Sequence, residues 1–351
     1  MSLSGRRVVI LLVVAVLVIG AGLWVSSNRS ADQTAFAQGA VLPGLEGALN
    51  TVNEVRLTKA DKSQITLKKR DADWVVVERD YPADSGRVRK LLLDLAKLKS
   101  IEEKTSTPAN YPALGVEDLA TPKATGTLVE AVTPEKTFAL IVGKPSGMKT
   151  GYVRVSDAKA SVLAEPQLTL DVEPQRWVER TIIDIPQERV QEVAVAPTGS
   201  PAYVAKRETR EQTDFVVPAL PKGRTLESPT AANASAGGLA ALSLDDIRKA
   251  GAAAPATGEA APAAEPPGAS ANGATGGKVT YKTFDGLVLE VTGRSEGTRK
   301  LISIAASSTA DATKEEAGKL QQRLAGWEYE IPTYKFDALF RPLEQILASK
   351  P

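Results

Sequence analysis

An uninterrupted apolar run near the N-terminus constrains this chain more than any other feature of its sequence. Residues 8–25 are 18 consecutive residues without a polar side chain. A helix of that length nearly crosses the ~30 Å hydrocarbon layer of a bilayer. Arg6 and Arg7 precede the run and the next cation is Arg29, which predicts a cytoplasmic N-terminus. We therefore predict a single-pass protein of a bacterial inner membrane, with a cytoplasmic tip and anchor over residues 1–25 and a periplasmic bulk.

A cleaved signal peptide is the alternative interpretation of the same run. Residues 35–37 form an Ala-Phe-Ala site of the kind that signal peptidase cleaves. The site lies ten residues beyond the run, and the run is longer than the usual ~7–15-residue apolar region of a signal peptide. Both interpretations predict the same compartment, but only the uncleaved anchor contacts the lipid bilayer through residues 8–25.

Composition excludes much of ordinary enzyme chemistry. The chain has no histidine and no cysteine, which removes the usual general base near neutral pH, the thiolate nucleophile and the commonest metal ligands. Lys and Arg number 43 against 42 Asp and Glu, so no basic surplus favours a nucleic-acid partner. We assign no catalytic, cofactor-binding or metal-binding residues and expect no cofactor.

Residues 51–180 are predicted to form a first folded unit, after a tether over residues 26–50. Residues 52–58, 64–70 and 72–80 alternate apolar and polar side chains, as strands do. A leucine-rich helix follows, capped by Asp84 or Ser85. Short strand-like segments continue to residue 165, and Trp177 is expected to pack in a short helix or turn that closes the unit.

Residues 181–351 are predicted to repeat that unit. Residues 190–193 resemble 52–55, residues 213–217 resemble 72–76, and residues 283–293 align with 133–143. Residues 245–249 are expected to form the counterpart of the leucine-rich helix in the second unit. The fold class predicted is α+β, with an N-terminal transmembrane helix followed by two tandem antiparallel-sheet-plus-helix units. Two unrelated β-rich halves are the alternative.

An Ala/Pro/Gly-rich stretch interrupts the second unit at residues 251–277. It has no aromatic residue and is predicted to be a disordered insertion. Near the C-terminus, an apolar helical face is expected, with Pro342 at its start or at a kink. Its members are Leu339, Leu343, Ile346 and Leu347.

One local pattern resembles an enzyme motif. Ser146 and Lys149 form an S-x-x-K, and Lys149 also begins a K-T-G, the pair used by penicillin-binding acyltransferases. In those enzymes the two motifs occupy separate elements, whereas here they share one lysine within a glycine-rich link. A hairpin loop is therefore the preferred interpretation. For the aromatic residues, packing in cores and turns is likewise preferred over a surface binding platform.

Several of these segments together resemble one bacterial family. They are the anchor, the strands between Val52 and Trp74, residues 81–84 (YPAD) with the leucine helix, the GYVRVS strand, and the terminal W-x-Y-x-I-P-x-Y segment. The family is a membrane-anchored domain of unknown function encoded beside gliding-motility-type ABC transporter genes. The resemblance implies as partners an ABC permease and a second extracytoplasmic auxiliary subunit, and it implies no catalytic residues.

The function expected is that of a non-catalytic extracytoplasmic accessory subunit of an ABC-type transport or gliding-motility-type system. It would act by binding protein or substrate. A membrane-anchored envelope hydrolase that uses carboxylate or Ser/Lys chemistry is the alternative.

Overall fold

A computed structural model describes residues 39–251 and 276–349. Within these ranges the chain divides into two compact units, with the boundary between Val178 and Glu179. No helix in the described ranges is both long and apolar enough to cross a membrane. The predicted anchor at residues 8–25 lies outside the described residues. The single-pass inner-membrane location is thus not supported by any described helix and is withdrawn.

The first unit consists of one large antiparallel sheet with a helix across it. Its strands are β1 (Glu54–Lys59), β2 (Gln64–Arg70), β3 (Asp73–Val76), β4 (Tyr81–Pro82), β5 (Lys99–Thr105), β6 (Thr127–Val132), β7 (Thr137–Ser146), β8 (Thr150–Val155) and β9 (Ser161–Glu165). Its helices are α1 (Leu45–Ala48), α2 (Ser85–Ala96) and α3 (Tyr111–Leu114), with 3-10 turns at Leu49–Thr51, Pro108–Asn110 and Pro174–Arg176. The strand order is β4-β3-β2-β1-β6-β7-β8-β9-β5.

Period-two patterning and a capped helix explain the core of the first unit. Alternate residues of β1 and β2, such as Leu57 and Leu67, are fully buried, as expected for strands with one face on a core. The Asp84 carboxylate accepts a hydrogen bond from the Arg87 amide at 2.9 Å and caps the N-terminus of α2. The leucine stripe of α2 is buried. Trp177 is 2% exposed and follows a 3-10 turn, so its predicted packing is confirmed.

The second unit also contains a large antiparallel sheet. Its strands are β10 (Thr181–Ile183), β11 (Val190–Pro197), β12 (Tyr203–Lys206), β13 (Leu242–Ser243), β14 (Asp246–Lys249), β15 (Gly276–Thr283), β16 (Leu287–Glu296), β17 (Arg299–Ser308) and β18 (Trp327–Glu330). Its helices are α4 (Asn233–Ala236), α5 (Lys314–Leu324) and α6 (Thr333–Leu339), with 3-10 turns at Gln187–Arg189, Asp311–Thr313 and Leu343–Gln345. The large sheet has the order β12-β11-β15-β16-β17-β18-β14, and β10 pairs with β13 separately.

The two large sheets share one strand order. β11 and β12 occupy the positions that β1 and β2 occupy in the first unit. β15 to β18 then correspond in order to β6 to β9, and β14 corresponds to the edge strand β5. An isolated bridge between Lys206 and Val216 occupies the place of the β2–β3 pairing. Positions in one sheet can therefore be matched to positions in the other by their hydrogen bonds.

The fold class predicted from sequence needs correction. In the described ranges strand accounts for 39% of residues and helix for 21%. The described residues are therefore mostly antiparallel sheet, and the predicted α+β class with an N-terminal transmembrane helix is not supported. Residues 245–249 illustrate the difference, because Asp246–Lys249 form strand β14 rather than a helix. Ile247 pairs with Tyr329 of β18, and both are buried, so tertiary pairing decides the conformation of this short charged segment.

Three predicted segment boundaries also change. The tether predicted over residues 26–50 is folded from Gly39 onward, because the Val41 amide donates to the Leu98 carbonyl at 2.8 Å and Leu45 is fully buried. Most of the predicted insertion at residues 251–277 lies outside the described residues, and β15 already begins at Gly276. In the C-terminal tail α6 ends at Leu339, three residues before Pro342, and only a 3-10 turn follows. Proline has no amide hydrogen to continue a helix.

Candidate functional site

A groove of about 480 Å³ opens in the first unit beside helix α2. Its walls come from α2, from the end of the β2–β3 hairpin and from the segment that leads into β1. The lining residues are Leu49, Asn50, Val52, Lys69, Ala72, Asp73, Trp74, Ser85, Arg89, Leu92 and Leu93. The volume falls within the ~300–1,000 Å³ range of ordinary ligand sites.

Strand register places an aromatic ring and a cation side by side in this groove. Lys69 of β2 pairs directly with Trp74 of β3, and directly opposed residues in an antiparallel pair share one face. Lys69 also follows Ile65 and Leu67 at a spacing of two, so it lies on the core face of the sheet, where the core ends. Trp74 is therefore only half-buried, with part of its ring available in the groove.

The groove displays cations that nothing else in the described part of the chain neutralises. The side chains of Lys69 and Arg89 are exposed, and neither makes a hydrogen bond or ion pair with a described residue. On the same helix the Arg87 guanidinium donates to the Arg176 carbonyl at 2.8 Å and lies 4.7 Å from the Trp177 ring. Among the lining residues Asp73 is the one carboxylate, so the groove carries a positive balance.

Backbone hydrogen bonds identify the equivalent position in the second unit. In the first unit the Lys69 amide donates to the Asn53 carbonyl at 2.8 Å, and in the second the Arg207 amide donates to the Gln191 carbonyl at 3.0 Å. Arg207 follows directly on β12, the counterpart of β2. Arg207 is therefore the counterpart of Lys69.

The aromatic positions correspond as well. Val75 pairs with Lys68 in the first unit, and Val216 bridges to Lys206 in the second. The residue before each valine is aromatic, Trp74 in one unit and Phe215 in the other. The two units thus carry a cation and an aromatic side chain in the same register.

In the second unit the equivalent space is filled by the protein's own arginine. Arg207 is 4% exposed, and its guanidinium carbon lies 5.1 Å from the Phe215 ring and 5.2 Å from the Phe284 ring. Its nitrogens donate to the Val190 carbonyl at 2.8 Å and the Gln212 carbonyl at 2.7 Å. Burial lowers the pKa of Arg207. The space beside the cation and the aromatic ring is thus open in the first unit, whereas in the second unit the Arg207 side chain fills it.

The serine-lysine motif lies at the tip of a hairpin, as the sequence predicts. Ser146 ends β7, Thr150 begins β8, and Gly147 between them has φ +81°, a conformation that favours glycine. The Ser146 hydroxyl donates to the Tyr152 hydroxyl at 3.4 Å. The Lys149 side chain is exposed and its ammonium makes no hydrogen bond or ion pair with a described residue, so among the described residues no base is bonded to Ser146.

Carboxylates of the second unit converge on arginines at one edge of the sheet. Arg248 of β14 binds Glu296 at 2.7 Å and Glu328 at 3.0 Å, and Arg294 binds both of these carboxylates. The hydrogen bond from Arg248 is the largest cause that lowers the pKa of Glu296 to about 2. The hydrogen bond from Arg294 is the largest cause that lowers the pKa of Glu328. Both carboxyls are held in the ionised form.

Sequence reasoning did not find this network or the cationic groove. The network joins residues from three strands that are far apart in the chain, so no local sequence pattern predicts it. Of the groove residues, the sequence suggested a possible binding role for Trp74 alone, and core packing was preferred for it. Its half-burial beside Lys69 departs from that preference. The described residues contain no group of three or more Asp and Glu placed to hold a metal ion.

Comparison with known families assigns the chain to a family without a defined activity. A domain of unknown function, DUF4340, matches residues 74–262, which is more than half of the sequence. The chain belongs to the DUF4340 family. Its predicted membership in a family of unknown function is therefore confirmed, while the neighbouring transporter genes stay a prediction. The match includes Trp74, Arg89 and Leu93 of the groove and begins after Lys69. No curated protein and no solved structure matches the chain.

Proposed function

We propose that this DUF4340 protein is a non-catalytic accessory subunit of an ABC-type transport system of the gliding-motility kind, and that it acts by binding a partner protein. The observation that carries the proposal is the groove of the first unit. There, Lys69 and Arg89, whose side chains pair with no described residue, lie beside half-buried Trp74 and 38%-exposed Leu93. Tryptophan and arginine dominate the binding energy of protein interfaces, and leucine contributes apolar area around them.

The acidic side chains with displaced pKa values are placed for structure rather than for proton donation. A carboxylate hydrolase needs one carboxyl whose pKa is raised so that it can donate a proton. Every Asp or Glu with a resolved shift in the described ranges has a lowered pKa, and arginine pairing or neighbouring hydrogen bonds explain the direction. Such groups stabilise structure and orient surfaces.

The family resemblance supplies the class of partner. It implies an ABC permease and a second auxiliary subunit, both of which would engage this chain through protein–protein contacts. A groove that combines cations with an aromatic ring and exposed aliphatic carbon suits a contact of that kind.

Site-specific photocrosslinking in cells tests the proposal. A photoreactive amino acid replaces Leu93 in the groove, and in a matched control it replaces Met148, which is 96% exposed at the β7–β8 hairpin. Adducts are identified by mass spectrometry. We expect adducts with an ABC permease or its auxiliary subunit from position 93 and not from position 148. Absence of transporter components from the adducts at both positions would refute the proposed function.

A further inference from the structure

The structure assigns a specific ligand chemistry to the groove of the first unit. We infer that it binds an acidic segment of a partner protein in which a carboxylate and an apolar side chain lie close together. This inference rests on the proposed function for the identity of the partner, because the groove itself defines only the chemistry of the segment. It names Lys69, Arg89 and Trp74 as the residues that recognise that segment.

Charge determines the sign of the ligand. Lys69 and Arg89 bring two positive charges to the lining, against one negative charge from Asp73. Both cations lack partners among the described residues, so an incoming carboxylate need not displace an existing ion pair. Arginine binds carboxylate with two parallel hydrogen bonds, which are among the stronger polar contacts in proteins.

The apolar lining determines the second feature of the ligand. Trp74 is half-buried, and Leu93 is 38% exposed on the side of α2 next to the groove. An aliphatic side chain from the partner would cover both. The Asn50 amide and the Ser85 hydroxyl also line the groove and can hydrogen-bond to a peptide backbone.

The second unit provides an internal reference for this assignment. At the position of Lys69 it has Arg207, whose guanidinium is buried between two phenylalanine rings and bound to backbone carbonyls. Carbonyl groups of the protein itself therefore hydrogen-bond that cation. Lys69 is shorter and exposed, and it makes no such bonds with described residues. Its charge is thus available to an anion from outside.

Fluorescence anisotropy with labelled peptides tests the inference on the full-length protein. The probe is a short peptide with one leucine flanked by glutamates, and the comparison peptides replace glutamate with glutamine or with lysine. We expect saturable binding of the glutamate peptide, at least about tenfold weaker binding of the glutamine peptide, and weaker binding still of the lysine peptide. Equal affinities for the glutamate and glutamine peptides would refute recognition by charge.

Variants locate the binding on the molecule. The double variant Lys69→Glu/Arg89→Glu and the single variant Trp74→Ala should each bind the glutamate peptide at least about tenfold more weakly. The control Lys149→Glu reverses one charge at the exposed β7–β8 hairpin, half the charge change of the double variant, and should bind within about twofold of the unaltered chain. Circular dichroism verifies that each variant is folded. Unaltered affinity in the double variant, or an equal loss in the control, would overturn the assignment.

Crosslinking separates failure of the inference from failure of the proposed function. Transporter adducts from position 93 that persist in the Lys69→Glu/Arg89→Glu background would leave the accessory function standing and refute acidic recognition. Glutamate-peptide binding at the groove without transporter adducts would support acidic recognition and refute the accessory function.

Discussion

Replacing Arg207 with alanine should destabilise the second unit strongly, whereas replacing its counterpart Lys69 should not affect the first unit measurably. The Arg207 side chain donates to the carbonyls of Val190, Gln187 and Gln212 at 2.7–2.9 Å. Each such bond contributes about 0.5–1.5 kcal/mol net. Two cation–π contacts add about 0.5–1 kcal/mol each. The desolvation that lowers the pKa of Arg207 opposes these terms, so we expect a net loss of about 3 kcal/mol in the free energy of unfolding.

The assay is urea denaturation combined with hydrogen exchange read by mass spectrometry, which reports the opening free energy of each unit separately. Arg207→Ala should lower protection in β11, β12 and β15 and leave β1 and β2 unchanged. Lys69→Ala should stay within about 0.5 kcal/mol of the unaltered chain, because its exposed side chain pairs with no described residue and contributes little.

A third variant, Arg207→Met, separates packing from hydrogen bonding. Methionine fills much of the space between the two phenylalanine rings but leaves the carbonyls without the guanidinium. We expect it to lose less stability than alanine but more than about 1 kcal/mol. If Arg207→Ala cost less than about 1 kcal/mol, the buried guanidinium would not stabilise the second unit, and the contrast between an occupied and an open site would fail.

Three further predictions follow from the packing and the charges. Gly293→Ala should destabilise the second unit by about 1–3 kcal/mol in urea denaturation, because the new methyl group would overlap the Phe340 ring. Leu95→Asp should cost several kcal/mol and unfold the first unit in circular dichroism, because residue 95 is 1% exposed and the substitution would bury a carboxylate in the core. Arg248 lowers the pKa of Glu296 from 4.5 to about 2, so this pair stabilises the folded state fully above about pH 4.5. That contribution should decline as the pH falls from 4.5 through 2, and Glu296→Gln should flatten this part of the stability profile measured by thermal unfolding.

Local sequence patterns predict part of this fold, because the periodicity of a strand or helix depends on residues that are close together in the chain. The alternation in β1 and β2, the capped leucine helix α2, and the turn at Gly147 each depend on side chains within a few positions of one another. The segment Asp246–Lys249 was predicted wrongly as a helix because its conformation depends on pairing with β18, about eighty residues later.

The candidate site was harder to predict than the fold for a related reason. Trp74 and Lys69 are close in sequence, but whether the space between them is open depends on Arg89 from α2 and on the segment before β1. In the second unit the equivalent space is filled because Phe284, which comes from a different hairpin, packs against Arg207. Sequence alone shows a cation and an aromatic residue in both units, and only the tertiary contacts distinguish a surface from a core.

The shared strand order has a consequence for how quickly the chain can fold. In each large sheet an edge strand, β5 or β14, pairs along its length with a strand made much later, β9 or β18. The first two residues of β5 also contact an earlier segment, at Gly39 and Ala40. Neither edge strand can complete its hydrogen bonds until the strands between it and its partner have been synthesised. Pairing then closes a long loop, and this closure costs conformational entropy before the new contacts can compensate for it. Each newly made unit should therefore expose an unpaired strand while it emerges from the ribosome. We expect both units to fold slowly for their size, on the millisecond-to-second scale typical of sheets with distant pairings.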